Sequence, residues 1–504
     1  MKPTSMLIPP TLVSARARRK WAAGLAANLI AASGVLFLAL PVAAQLGGSQ
    51  SSTSSTPTIQ LAPPSGPTAP TSNNFQGSVT QGAATADTLS LTLDDAVQRG
   101  IKANLGLLLS NSQTASARGQ HLQDLQALLP RIDGNLKESY VQADLAAQGI
   151  RIPGFPTVVG PFGYSDLRAN LSWTVFSLNS LRTYMASKHN FEASKLSAQD
   201  AKQMVILTVG NAYLKVLADE AQVEASKAQV ETSKVSLDQA NRNHEAGTAP
   251  RLDALRAQVD TQSLEQQLIS AQNAVEKDKL ALARTIGLPL AQKFELADRA
   301  PYNAFDQPDI QTAIKQALAN RKDRAASAEQ TKAAEDQRKA ATADRLPTLK
   351  ADADYGDIGT NVRHSHGTVD ATGTLTIPIF KEAQFRGEAE IAQSALDNQK
   401  FKQSDLDAQI EADVRDALLD IASSQQQVEV AKSNVDLSAE ELSEAQQRYK
   451  AGVSDNLAVS DAQQTVAQAN SQYINSLYQH NLAKLNLARA MGVAENYKQY
   501  LGGK

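Results

Sequence analysis

A mainly α-helical fold with a smaller β part, assembled from two internal repeats, is what this sequence predicts, and three observations carry the prediction. The first is self-similarity: QVEASKAQVETSKVSLDQANRNHEAG at 222–247 returns as QVEVAKSNVDLSAEELSEAQQRYKAG at 427–452. The offset, 427 − 222 = 205, still holds between LALARTIG at 280–287 and LNLARAMG at 485–492. A gap-free offset across an Ala-Gly break reads as duplication of a whole helix–turn–helix unit. The second is a heptad. Val209, Val216, Val223, Val230, Leu237 and His244 fall every seven residues, and Val414, Ile421, Val428, Val435, Leu442 and Tyr449 repeat them. Small residues follow three positions later: Ala212, Ser226, Ser233 and Ala240 in one copy, Ala417, Ser424, Ala431, Ser438 and Ala445 in the other. Such a pattern describes long helices that coil on partners with close backbone approach. The third is composition. With 5% aromatics over 504 residues the chain does not fill large compact cores, whereas Ala-rich helices need only a thin apolar seam.

The elements follow in order. Arg16, Arg18, Arg19 and Lys20 precede an apolar run from Trp21 to Leu40, which ends in Pro41-Val42-Ala43-Ala44-Gln45. Basic, apolar and small-residue segments in that order read as a secretory signal peptide over 1–44. An uncleaved membrane anchor is the alternative, since the run is roughly long enough to span a bilayer; its Ala and Gly content favours cleavage. Residues 45–88 are rich in Ser, Thr, Pro and Gly, so a disordered leader is expected there. Structure is expected to start at Leu91-Thr92-Leu93-Asp94-Asp95-Ala96, where Thr92 and Asp95 make a capping-box-like helix start. One helix then runs to about Leu128 and stops at Leu129-Pro130; its counterpart runs from Pro308-Asp309-Ile310 to about Arg345 and stops at Leu346-Pro347. The first repeat spans 89–295, the second 296–495, and a short tail 496–504 follows.

After each proline the period changes from helical to two. Leu349, Ala351, Ala353 and Tyr355 alternate with Lys350, Asp352, Asp354 and Gly356. Val369 to Ile379 alternates likewise, as do Leu167, Ala169, Leu171, Trp173 and Val175 with Arg168, Asn170, Ser172 and Thr174. The segment from Ile132 to Leu145 is noisier. The hairpin loops are expected at Ala147–Ser165 and Asn361–Gly367. Amphipathic strands of about ten residues suit a membrane-spanning β-barrel, but a half-buried soluble sheet alternates in the same way. The connections favour the barrel. Each strand pair feeds without proline into a helix of roughly sixty residues, about 90 Å long. Four strands cannot close a barrel alone, and lipid does not tolerate open edges, so a membranous sheet requires several chains to share one barrel.

This ordered set of motifs resembles the TolC-like outer membrane efflux protein family over about 90–504. The resemblance rests on the Leu91-Thr92-Leu93-Asp94-Asp95-Ala96 start, the Leu-Pro before each hairpin, and the turns His244-Glu245-Ala246-Gly247-Thr248 and Tyr449-Lys450-Ala451-Gly452-Val453. It implies a homotrimer in which each chain gives four strands to a twelve-stranded outer membrane barrel. The helices would form a coiled-coil tunnel in the periplasm. The assembly would be a passive exit duct, in contact with outer membrane lipid and joined through a periplasmic adaptor to an inner membrane transporter, in a tripartite efflux or type I secretion system. Gly247 and Gly452 suit a sharp helix reversal. The resemblance makes them, with Thr248, Ala249, Val453 and Ser454, the adaptor-docking tips. Asp253 and Asp461 lie early in the return helices, where negative charge is favourable. By resemblance Asp253, Asp461 and Asp455 are candidates for a periplasmic gate. Ser454 stands where the family places a basic gate partner, and Asn104-Leu105-Gly106 where it places Asn-Pro.

Other classes lose ground on composition. A net charge of −3 with no basic, aromatic-interleaved patch argues against nucleic acid as a partner. Cysteine is absent, which removes disulfides and thiolate metal sites. His364 and His366 sit in a hairpin loop without an evident third ligand, so neither metal nor cofactor is expected. No nucleophile–base set or phosphate-binding loop occurs, and the chain does not read as an enzyme. The remaining alternative is a non-pore periplasmic coiled-coil structural or adaptor protein, against which the strand hairpins nested in both repeats count.

Overall fold

The computed structural model describes residues 75–501 except 148, 151, 299–302, 304 and 362. The expected signal peptide, and the expected leader as far as residue 74, lie outside the described residues. From there the chain runs β1 (Leu89–Leu91), α1 (Leu93–Ala103), α2 (Leu105–Gln126), β2 (Arg131–Asp144), β3 (Val158–Phe176), α3 (Leu178–Glu245) and α4 (Arg251–Ile286). The same order of types follows in β4 (Phe294–Leu296), α5 (Ile310–Asn320), α6 (Lys322–Ala343), β5 (Thr348–Gly359), β6 (Ser365–Thr376), α7 (Glu382–Lys450) and α8 (Asn456–Ala490), and α9 (Tyr497–Leu501) closes the chain. The long helices α3 and α7 have 68 and 69 residues, each about 100 Å long at 1.5 Å per residue.

The helix expected from Leu93 to Leu128 is in fact two. Asn104 leaves the helix at φ −63°, ψ 129°; its Oδ1 accepts from Gly106 N–H while its Nδ2 donates to the Phe75 carbonyl. A side chain that caps the next helix competes with the helical ladder and ends α1 without a proline. Arg321 divides α5 from α6 with the same backbone, φ −61° and ψ 125°, but makes no cap. Its buried guanidinium is instead bonded to Asp323 and Asp413, so tertiary contacts make this break.

Residues 75–88 fall within the expected leader, yet they are built into the fold. Phe75 is 2% exposed and lies so close to Gly106 that a Cβ there would come within 2.5 Å of its ring. Val79 N–H donates to Ala103 O and Gln81 N–H to Gly287 O, both at 2.9 Å. One buried aromatic and a few backbone hydrogen bonds are enough to order a stretch whose composition reads as disordered. The described part of the expected tail, as far as Leu501, is docked as well: Tyr497 is buried, its hydroxyl donates to Asp94 at 2.8 Å, and Lys498 pairs with the same carboxylate.

The core is a seam, as the heptads require. Val209, Val216, Val230, Val414, Ile421 and Val428 are buried, as are the small residues Ser226, Ser233, Ala240, Ala417, Ser424, Ala431 and Ser438. His244 is exposed, whereas its counterpart Tyr449 is buried. The seam thickens where helix ends converge on the parallel β1–β4 pair: Leu91, Val97, Val205, Tyr213, Leu282, Ile286, Phe294 and Leu485 form one cluster.

The second sheet is antiparallel, in the order β2-β3-β5-β6. β2 is regular across most of its length despite its noisy sequence. β3 starts at Val158, so most of the loop expected over Ala147–Ser165 shrinks to residues 145–157. Gly154, Pro156, Gly160 and Pro161 make this region read as loop, yet β3 pairs with β2 through Gly160-Pro161 by way of a register shift opposite Gln142.

Candidate functional site: sheet faces and helix tips

Residues opposite one another in a sheet project on the same side, so the register sorts each strand into two faces. Arg131 stands opposite Ser172, Ser172 opposite Asp352 and Asp352 opposite Thr372. Two residues further along β2, the rung is Asp133, Asn170, Asp354 and Asp370. Over these rungs the face is polar, and it is neutralised from within: Arg168 bonds Asp354 and Asp166 and reaches Thr368. The other face carries Ile132, Leu136, Leu167, Trp173, Tyr355, Val369 and Leu375. Ile132 is 73% exposed and Val369 76%. A half-buried soluble sheet would cover that apolar face with a core. Here it is bare, and β2 and β6 are left as unpaired edges among the described residues. A bare apolar face opposite a polar one is the pattern that the wall of a water-filled barrel in lipid requires.

At the far end of the helices, both reversals use glycine at positive φ, +73° at Gly247 and +70° at Gly452. Open space surrounds a Cβ at either position, so backbone conformation alone selects glycine. Thr248 N–H donates to Asn243 O and Val453 N–H to Arg448 O, the 6→1 bonds of a Schellman end. Thr248 and Val453 are exposed; Ala249 and Ser454 are half-buried, and Ser454 Oγ lacks a partner among the described residues.

The three acidic candidates separate. Asp455 and Asp461 are exposed. Asp253, in the first turn of α4, is 6% exposed and faces Tyr449 at the end of α7. Burial pushes the Tyr449 phenol above its ordinary pKa, and the Asp253 charge adds to the rise. Of the three, only Asp253 is packed between the two hairpins. Around it lie contacts that the heptad reading did not single out. Ser460 donates to Asp260 at 2.6 Å, Gln463 to Ser236 at 2.8 Å, and Ser233 meets Thr261 at 2.6 Å. Their signal was there, as polar side chains on the face of an otherwise small and apolar seam. In the β5–β6 turn, His364 bonds Asn361 at 2.7 Å.

The sequence profile of the outer membrane efflux proteins matches residues 113–288 and 313–493. The chain belongs to that family. Its relatives include the pyoverdine export outer membrane protein OpmQ of Pseudomonas putida, 23% identical over 88% of this chain and 94% of the relative. The toluene efflux pump outer membrane protein TtgF of Pseudomonas putida is 24% identical over 74% of this chain and 78% of its own length. Among solved structures, the Campylobacter jejuni CmeC outer membrane channel superimposes with a TM-score of 0.70 at 19% identity, covering 85% of this chain and 95% of that one. Vibrio cholerae VceC gives 0.70 at 17% identity over 79% and 96%. This outer membrane efflux protein therefore has the fold of the TolC-like channels, resides in the outer membrane, and extends its helices into the periplasm. Family membership also decides against the adaptor alternative.

Proposed function

We propose that three copies of this chain form a passive exit duct. Each contributes β2, β3, β5 and β6 to a twelve-stranded barrel, and α3, α4, α7 and α8 to a periplasmic tunnel. The observation that carries the reading is the two-faced sheet. Its polar face needs water, its apolar face needs lipid, and its β2 and β6 edges need partners that a neighbouring copy supplies. The matched helix lengths of the two halves, 22 and 22 for α2 and α6, 36 and 35 for α4 and α8, support their origin by duplication. Threefold repetition turns the buried Asp253 into a ring of three at the narrow end, where it acts as the periplasmic gate. Asp461 and Asp455 are exposed neighbours of that ring.

The tips around Gly247, Thr248, Ala249, Gly452, Val453 and Ser454 dock a periplasmic adaptor, which links the duct to an inner membrane transporter. OpmQ and TtgF are named for different cargoes, pyoverdine and toluene. A duct that selects weakly, with the transporter choosing the cargo, fits that spread. The chain has no native cysteine, so Val453→Cys gives a single reactive site at an exposed tip. Mass measurement in detergent is expected to give three copies, and Val453→Cys to cross-link to a co-expressed adaptor. A monomeric protein would contradict the barrel, and a trimer without adaptor capture would contradict the docking role.

A further inference from the structure

Within one copy the two repeats meet along β3–β5 and along α3–α6. The outer flanks, β6 with α7 on one side and β2 with α2 on the other, are duplicates of those same surfaces. The equivalence runs residue by residue. α2 and α6 start at 105 and 322 and end at 126 and 343, and the prolines before β2 and β5 are Pro130 and Pro347, so this half of the repeat recurs at 322 − 105 = 217. Ser172 stands opposite Arg131 and Thr376 opposite Thr348, so β3 and β6 are related by 376 − 172 = 204.

β3 runs past the start of its own hairpin partner. Trp173, Thr174 and Phe176 form strand pairs only with β5, opposite Ala351, Lys350 and Leu349. Their counterparts, Ile377, Pro378 and Phe380, form no strand pair among the described residues, and Ile379 and Phe380 are 93% and 97% exposed. Pro378 falls at the place of Thr174, beside the register shift of β3, where a strand tolerates a residue without an N–H. The helices carry a matching signal. Arg182 pairs with Asp336 and His189 with Glu329 across α3 and α6. At the duplicated positions stand Gly387 with Gly119 and Ser394 with Ser112, so both members of each pair become small together. Gly119 and Gly387 lie inside helices, where glycine is unfavourable, and a Cβ built at either meets nothing within 4 Å. Close approach of another helix gives both a reason to be glycine.

We propose that the contact between copies repeats the contact between repeats: β6 and α7 of one copy lie against β2 and α2 of the next, with Thr374 opposite the partner's Lys137. The occupant of this flank is a second copy of the chain. The inference rests on the trimeric duct reading above and adds the residues that join the copies. Thr374 faces the partner's Lys137 on the polar side, as Asn170 faces Asp354. Leu375 meets the partner's Leu136 on the apolar side. Phe380 meets the partner's Ile132, as Phe176 meets Leu349, and so prolongs β6 to the start of α7. Gly387 packs against the partner's Gly119 in place of an ion pair.

The full-length chain has no native cysteine, so pairs of introduced cysteines read the register directly. Thr374→Cys with Lys137→Cys is expected to give covalent trimers on a denaturing gel after oxidation. Thr374→Cys with Asn135→Cys or with Ser139→Cys is expected to stay monomeric on the gel, because Cβ atoms of diagonal neighbours lie about 7 Å apart and a disulfide needs about 4 Å. Gly119→Leu raises helix propensity and has open space in a single copy. It is expected to lower the trimer fraction in detergent with the helical circular dichroism unchanged. Cross-linking at Asn135 or Ser139 instead of Lys137, or at none of the three in a species of trimeric mass, would overturn the register. A full trimer fraction in Gly119→Leu would overturn the helix contact. If the parent protein itself has a mass below three copies, the duct reading falls, and this contact with it.

Discussion

Asp253 and Tyr449 come from different hairpins and meet beside the helix reversals. Either residue alone reads blandly in the sequence, as a first-turn acid or as the last member of a heptad. Their proximity becomes visible only once the hairpins pack. A carboxylate near a helix N-terminus stabilises by about 0.5 kcal/mol, too little for its removal to unfold a chain of this size. Asp253→Ala is therefore expected to lower the melting temperature only slightly while raising single-channel conductance, because one ring of three charges is lost from the gate. Unchanged conductance would remove Asp253 from the gate. Lys484 is a residue that the sequence does not mark at all. It is fully buried, its ammonium donates to Asn303 O at 2.5 Å, and burial pushes it down to about 8. Lysine usually lies on the surface, and only the chain crossing at Asn303 explains its place here.

Among the elements, α3 and α4 are braced by Lys215, which bonds Asp219 at 2.5 Å on its own helix and Asp278 at 3.4 Å on the next. Burial, with the hydrogen bond to Asp278 adding to it, pushes Asp219 up to about 6. An unfolded aspartate titrates near 3.9, so between about 4 and 6 the folded state holds the extra proton. Stability therefore falls as pH rises through that window, and the cost stands in full above it. After allowance for solvent screening it is on the order of 1 kcal/mol. Asp219→Asn should melt higher than the parent at pH 7 and no higher at pH 4, as followed by circular dichroism in detergent. An equal difference at both values would show that Asp219 does not titrate in the brace.

Element type was legible wherever a period ran unbroken. The heptads carried α3 and α7, and strict alternation carried β5 and β6. The helix ends at Asn104 and Arg321 were not legible, because neither uses proline. One depends on a side-chain cap and the other on an arginine held between a neighbouring carboxylate, Asp323, and one distant in sequence, Asp413. The extent of β3 was hidden by glycines and prolines that a strand with a single partner tolerates. The order of 75–88 depends on one phenylalanine finding a glycine, which composition does not reveal.

At the scale of the molecule, the sheet defines what the chain is for. Nothing in one copy covers the apolar residues from Ile132 to Leu375 or completes the β2 and β6 edges among the described residues. Three copies and a bilayer satisfy both requirements at once. In the proposed trimer a ring of Asp253 side chains would bias the pore toward cations. Single-channel recording of the purified protein in planar bilayers tests this most directly. The account predicts a steady, low-conductance, cation-preferring pore from a species of trimeric mass. A protein that inserts no channel under conditions that keep it folded would contradict it.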